Sequence, residues 1–171
     1  RRLRSLIDDV LTLSRLDEPS LSDGPTTPVE LLSVVEGTRD RLAPLAEEAG
    51  ITLTVAGEPL AIEGNEPLLE HAVANLMENA LRYNEPGGTV DVSVLPTDDG
   101  CALVRVADTG IGIPEEDQPK VFERFYRADK SRSKETGGTG LGLAIVKHAA
   151  LRHGGEVQLE STLGEGSCFT L

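Results

Sequence analysis

Asn75-Leu76-Met77-Glu78-Asn79-Ala80-Leu81-Arg82-Tyr83 is the stretch on which the fold turns. Leu69, Val73, Leu76 and Ala80 recur at helical steps, so residues 66–84 should form a helix with one apolar stripe. Asn75 and Asn79, four apart, then share another face, with Arg82 beside them. Two amide oxygens and a cation suit a hydrated magnesium ion carrying phosphates, because magnesium keeps most of its waters and accepts few protein oxygens. Asparagines that merely decorate a surface would give the same pattern, so this helix has to be read with its neighbours. Glu78 is a possible base, but its helical phase separates it from the amide pair.

Downstream, an apolar strand ends in Asp108-Thr109-Gly110-Ile111-Gly112. A carboxylate there can accept a hydrogen bond from the exocyclic amine of adenine. The two glycines would let the backbone approach a planar base closely. By itself Asp-x-Gly-x-Gly is often only a tight turn. Further on, Gly137-Gly138-Thr139-Gly140-Leu141-Gly142-Leu143 leads into a helix over Leu141–His153, which Gly154 and Gly155 should end. Backbone N–H groups at such an entrance form an anion cradle, and Thr139 can cap the helix or touch phosphate. No Gly-Lys-Ser/Thr follows, and no strand precedes, so this is neither a Walker loop nor a dinucleotide fingerprint. Six cations (Lys120, Arg124, Arg127, Lys130, Arg132, Lys134) crowd the loop between the carboxylate and these glycines. That position favours a lid supplying cations to phosphates over a merely solvated loop.

The remaining pattern places these parts in one domain. Residues 29–49 read as a helix through Leu31, Leu32, Val35, Leu42 and Leu45. Residues 51–55 alternate as a strand with which Leu60-Ala61-Ile62 could pair. Strands are expected at 88–95, 102–107, 156–161 and 167–171, and a short helix at 115–124. This order predicts an α/β fold, a two-layer α/β sandwich with a mixed, mostly antiparallel sheet. Leu3, Leu6, Val10 and Leu13 form a coiled-coil-like seam ahead of it. The domains read as 1–17 for that helix, 18–28 for a Pro/Gly linker, and 29–171 for the compact unit, with a lid at about 113–137.

Bulk properties exclude several classes. A net charge of −13 argues against a general nucleic-acid surface, and no apolar run reaches the length of a membrane span. Aromatics are only 3% of the chain, so aliphatic side chains must fill the core. Cys101 and Cys168 lack metal-type spacing and read as buried or half-buried thiols in a reducing compartment. Starting at Arg1-Arg2-Leu3 without Met, the sequence reads as a piece of a longer protein.

With those residues assembled, the chain resembles the catalytic and ATP-binding (HATPase) domain of sensor histidine kinases in the GHKL superfamily, whose fold is the Bergerat type. Asn75 to Tyr83 resembles the N box, Asp108 to Gly112 the first glycine box, and Phe122 to Arg127 the F box. Gly138 to Gly142 resembles the second glycine box, and 161–168 the closing turn. Arg4 to Leu16 is similar to the second helix of the dimerisation and histidine-phosphotransfer hairpin. The resemblance implies ATP and magnesium as ligands, with Asn79 on the metal and Asn75 supporting metal and phosphate. Arg82, Tyr83 and Ile113 would line the nucleotide pocket, and Asp108 would select adenine. Gly110, Gly112, Gly138, Thr139, Gly140, Leu141 and Gly142 would shape the pocket and lid hinges. Lys130 would reach the nucleotide from the lid, and Arg124 and Arg127 would approach the γ-phosphate or the partner helix.

Gyrase-like relatives carry a glutamate where Asn75 stands, as the base for water. An amide cannot deprotonate water, so phosphoryl transfer to histidine is expected over hydrolysis. Catalysis would rest on positioning and charge neutralisation. The acceptor histidine would lie on a helix preceding Arg1. His71, His148 and His153 lie in helices of the ATP-binding unit and read as structural. The resemblance implies as partners the protein's own hairpin domain and the receiver domain of a response regulator. It also implies a homodimeric full-length protein and a cytoplasmic location, as part of a membrane-anchored receptor. A GHKL-type ATPase, an anti-sigma serine kinase and a non-catalytic nucleotide-binding module stay open as alternatives.

Overall fold

The computed structural model describes residues 26–128 and 138–171. Residues 1–25, with the coiled-coil seam and most of the linker, and 129–137, with Lys130, lie outside the described residues. In chain order the elements are β1 (Thr27–Glu30), α1 (Leu31–Ala49), β2 (Thr52–Gly57), β3 (Ala61–Gly64) and α2 (Glu66–Arg82). They continue as β4 (Thr89–Pro96), β5 (Ala102–Asp108), a 3-10 turn (Gln118–Lys120), α3 (Gly142–Arg152), β6 (Gln158–Thr162) and β7 (Gly166–Thr170).

Helix α1 begins where Glu30 turns its carboxylate onto the N–H groups of Leu32 (2.9 Å) and Ser33 (2.8 Å). It ends at Gly50, whose φ of +68° lets Gly50 and Ile51 bond back to the last carbonyls. The stripe it buries is Leu31, Val34, Val35, Thr38, Leu42 and Ala46. Leu45, expected on that stripe, is exposed. The helix also starts two residues later than its periodicity suggested, because residues 27–30 form a strand. That strand takes Ala61–Gly64 as its partner, with Val29 opposite Ile62, so the expected pairing of 60–62 with β2 is not made. Pro28 hid β1 from the sequence reading. An edge strand tolerates a proline whose missing N–H faces away from the ladder.

The main sheet runs β2-β4-β5-β7-β6, parallel only between β2 and β4, and α1, α2 and α3 pack on one of its faces. The mixed, mostly antiparallel two-layer sandwich is therefore the observed fold. Cross-strand pairing puts Val92, Val106, Phe169 and Leu159 in one row beneath the helices. Leu76, Met77, Val73 and Val35 close over such rows, all at most 1% exposed. Each such side chain contributes roughly 1.5–3 kcal/mol on burial. The opposite face carries Thr54, Asp91, Arg105, Cys168 and Glu160, a polar set that no helix among the described residues covers.

One row along, at the β2 start and β5 end, the inner face changes character. Val90, Asp108, Ser167 and Ser161 lie side by side across β4, β5, β7 and β6. The sheet thus runs from an aliphatic floor into a polar one beneath the C-terminal end of α2. The helix expected at 115–124 is reduced to turns around the Gln118–Lys120 segment. Cys101 is exposed in the β4–β5 turn, which corrects its reading as a buried thiol, and Cys168 is half-buried. Among the described residues, no helix is long and apolar enough to cross a membrane.

Candidate functional site

Helix α2 brings the metal-type face to the polar end of the sheet. It starts at Asn65, whose side chain accepts from the Leu68 N–H (3.0 Å), with Pro67 in the first turn. Its apolar stripe (Leu69, Val73, Leu76, Met77, Ala80) is locked to the core, which fixes the rotation of every other face. Asn75 and Asn79 are both part-buried, and Asn75 lies on the side toward α3. A methyl built on Gly142 would lie 2.7 Å from Asn75 Oδ1, so the Asn75 amide sits directly over the first residue of α3. The Asn75 Nδ2 is buried and has no hydrogen-bond partner among the described residues. Leaving a buried donor unsatisfied costs about 1–3 kcal/mol, so this group marks a place where a ligand acceptor belongs.

At the C-terminal end of α2, Arg82 and Tyr83 face the second glycine segment. A methyl on Gly138 would come within 3.4 Å of Arg82 Nη1 and 3.7 Å of the Tyr83 hydroxyl. Among the described residues Arg82 makes only a long contact with Glu78 (4.0 Å), and both side chains are substantially exposed. An exposed pair of this kind holds little energy and leaves the guanidinium available. The Thr139 hydroxyl accepts from the Leu141 N–H (3.2 Å), which makes a turn ahead of α3 and not a cap on it, since no side chain bonds at the helix N-cap. Leu141 itself is fully buried and anchors the glycine segment with Ile145.

Asp108 ends β5 with its carboxylate partly buried. Gly110 N–H (2.8 Å) and Ser167 N–H (3.3 Å) both donate to Oδ1. Oδ2 accepts nothing among the described residues. Burial pushes the carboxyl above its ordinary value, and the two N–H bonds only partly oppose that. The free oxygen is an acceptor in a half-dry setting, suited to a ligand amine.

The glycines of this segment do something other than expected. A methyl on Gly110 would fall 2.3 Å from the Tyr83 carbonyl oxygen, and Ile111 N–H bonds that same carbonyl at 3.0 Å. Gly112, with φ +66°, would set a methyl 2.0 Å from the Thr162 carbonyl oxygen. The close approaches they permit are therefore to the protein's own backbone. They clamp the Asp108 loop between the end of α2 and the β6–β7 turn. Ile113 is held there through its N–H to Ser161 Oγ (2.8 Å) and its carbonyl from Gln118 Nε2 (3.0 Å).

The F-box turn joins the same assembly. Phe125 takes the left-handed φ of +63°, stays 68% exposed, and donates its N–H to the Gly140 carbonyl (2.8 Å). Gly140, at φ +74°, has no room for a side chain, since a methyl would meet Phe125 backbone at 2.8 Å. Tyr126 donates to Asp117 (2.6 Å), and that bond to a carboxylate pushes its phenol up to about 12. Arg124 and Arg127 flank this pinned turn, Arg124 exposed and Arg127 half-exposed. The structure thus unites Asn75 with Gly142, Arg82 and Tyr83 with Gly138, and Asp108 with Gly110 and the α2 terminus. Sequence reasoning did not single out Ser161, Ser167 or Gln118. The one available signal was that Ser161 and Ser167 occupy the apolar phase of strands carrying Leu159 and Phe169.

Three helices over an open mixed sheet, with a buried amide, a recessed carboxylate and a glycine-lined helix entrance, define an ATP-binding domain. Residues 64–171 match the family described as histidine kinase-, DNA gyrase B- and HSP90-like ATPase, and the chain belongs to it. Within it, the similarity runs to sensor histidine kinases. The chain is 42% identical over 174 residues to sensor histidine kinase RppB of Synechocystis sp., covering 100% of this chain and 38% of that protein. It is 44% identical over 173 residues to sensor-like histidine kinase SenX3 of Mycolicibacterium smegmatis, covering 99% and 44%. The chain spans about two fifths of the length of these curated relatives. Among solved structures, the mycobacterial sensor histidine kinase MprB superposes with TM-score 0.73 at 31% identity, covering 85% of this chain and 94% of that one. Full-length ShkA, in complex with AMPPNP, superposes with TM-score 0.84 at 31% identity, covering 98% and 35%.

Proposed function

We propose that this chain is the catalytic part of a sensor histidine kinase that transfers the ATP γ-phosphoryl group to a histidine on a hairpin dimerisation domain. From there the group passes to an aspartate on a response-regulator receiver domain. The observation that carries this reading is the buried, unpartnered Asn75 Nδ2 seated over Gly142. A donor at that point fits a phosphate oxygen, and no carboxylate stands there to activate water. That ShkA, similar in fold, is in complex with AMPPNP supports ATP as the ligand.

The residues also fit a magnesium ion. Asn79, one turn from Asn75, offers a neutral oxygen of the kind magnesium accepts alongside its waters and phosphates. When bound, magnesium supplies charge neutralisation across the phosphates. The protein's own groups do the rest. Asn75 orients a phosphate oxygen, and Arg82 with the N–H groups of the Gly138–Gly142 segment holds the anionic tail. Asp108 selects the amine-bearing base. Tyr83 and Ile113 border the pocket, and Arg124 and Arg127 neutralise the phosphoryl group in flight or contact the acceptor helix. The full-length protein is a homodimer, anchored to a membrane with this part in the cytoplasm.

The test mixes this chain with ATP, magnesium and a separately supplied hairpin domain carrying its histidine. Phosphoryl transfer is expected to the added hairpin and not to the chain itself. The Asn79→Asp variant should lose transfer by at least about tenfold, the weight of one misplaced catalytic group. Undiminished transfer by that variant would remove Asn79 from the metal site. ATP turnover outpacing transfer would favour a hydrolase instead.

A further inference from the structure

The polar row at the end of the sheet holds more than the base-reading carboxylate. Asp108 is opposite Ser167 on β7, and Ser167 is opposite Ser161 on β6, so the three side chains share the inner face as direct neighbours. Ser167 is only 8% exposed. The Ser161 hydroxyl makes three contacts: it accepts from Ile113 N–H at 2.8 Å, donates to the Gly166 carbonyl at 2.9 Å, and meets the Ser167 hydroxyl at 2.9 Å.

Proton counting gives these bonds a direction. A serine hydroxyl has one proton and two lone pairs. A carbonyl only accepts and an N–H only donates, so the single Ser161 proton goes to Gly166 and one lone pair takes Ile113 N–H. The Ser161–Ser167 contact is then satisfied only if Ser167 donates. Its proton is turned away from Asp108, and the end of the row presents acceptors alone.

We infer that Ser161 is a positioning residue for base selection: by holding the Ser167 proton, it keeps the Asp108 carboxylate free to accept from a ligand amine. This rests on the reading of Asp108 as the group that recognises adenine. In Ser161→Ala the Ser167 hydroxyl loses its acceptor, and the carboxylate of Asp108, its cross-strand neighbour, is the stronger acceptor to which it can turn. The Ser167 proton then competes with the amine of the base. Removing the competitor as well, in Ser161→Ala/Ser167→Ala, restores the open carboxylate even though it deletes another hydrogen bond.

The experiment measures affinities of the 171-residue chain for ATP and for purine riboside triphosphate, which is ATP without its exocyclic amine. The unchanged chain should prefer ATP. Ser161→Ala should shrink that preference by about tenfold, the weight of one hydrogen bond to a charged group, and the double variant should regain most of it. Ser161→Cys, nearly isosteric with a weak thiol, reads the same loss if the alanine variant fails to fold. A purely structural role would weaken both nucleotides by one factor and leave the ratio alone, which overturns the inference. So does a double variant no better than the single one. If the unchanged chain shows no preference for ATP, the adenine reading falls first and this inference falls with it. An intact preference lost by no variant sinks only the role of Ser161.

Discussion

Replacing Asp108 by asparagine separates what this carboxylate does for a nucleotide from what it does to the fold. Both backbone donors, Gly110 at 2.8 Å and Ser167 at 3.3 Å, point to Oδ1, where asparagine keeps an oxygen. The other oxygen becomes an amide nitrogen, which turns a donor toward the amine of the base. The bond lost is one to a charged acceptor, worth about 1.5–3 kcal/mol, so ATP should bind about 10- to 150-fold more weakly. The fold responds in the opposite sense. Burial is the largest influence on this carboxyl and raises its pKa. The folded protein therefore holds the proton more tightly than the unfolded chain, and stability falls as pH rises from the unfolded value, about 3.9, through the raised folded value. Above that window the charged carboxylate is a standing penalty, which asparagine lacks. The nucleotide-free variant should thus melt at or above the parent temperature near neutral pH, and the difference should vanish by about pH 4. Titration calorimetry with ATP and thermal unfolding across this range read the two effects separately. Undiminished ATP affinity would refute the base-reading role. A lower melting temperature at neutral pH would refute the claim that burial strains the carboxylate.

Gly142→Ala would place a methyl 2.7 Å from Asn75 Oδ1 and 3.1 Å from its Cγ, displacing the amide by a few tenths of an ångström. Alanine gains up to about 1 kcal/mol of helix propensity, so unfolding should shift little while ATP affinity, read by calorimetry, drops several-fold. Gly112→Ala meets the Thr162 backbone at 2.0 Å with φ at +66°, and nothing there is a flexible side-chain end. A loss of more than about 2 kcal/mol is expected in urea unfolding. His153→Ala deletes the Nδ1–H bond to Ala149 O (2.7 Å) and the Nε2 acceptor of Asn65 N–H (3.0 Å), which tie the end of α3 to the cap of α2. Stability should fall by about 2–3 kcal/mol in the same assay, and phosphohistidine mapping after incubation with ATP should find nothing at this position.

Much of this was legible because short-range periodicity and long-range packing agree. The α2 stripe, the strands β4 to β7 and the glycine entrance to α3 fell within a residue or two of expectation. What escaped was non-local. Strand β1 exists only because Ala61–Gly64 pairs with it, and Pro28 argued locally for a linker. The identity of the glycines was legible but not their use. Gly110 and Gly112 were read as making way for a base, whereas Tyr83 and Thr162, distant in sequence, occupy that space. In sequence, Ser161 and Ser167 stand only as members of the closing-turn segment 161–168. Their meaning depends on a register that puts both beside Asp108.

That register explains why the carboxylate and the amide pair come from different layers. The sheet can offer a recessed acceptor only where its inner face turns polar, which happens at the single row holding Asp108. The helical layer can offer amides to phosphate only where α2 meets the start of α3, at Asn75 and Gly142. A nucleotide spanning both needs the two layers fixed against each other to within a fraction of an ångström. The aliphatic core between them resists separation but, being non-directional, fixes sliding weakly. Directional contacts therefore fall to the loop that links the layers. Tyr83 O accepts from Ile111 N–H across Gly110, and Ile111 O accepts from Gly164 N–H beside Gly112. Enlarging either glycine would shift the base-reading carboxylate relative to the phosphate-reading amide without touching a ligand. On the proposed function, the glycines of the Asp108 loop serve recognition by setting the distance between two sites.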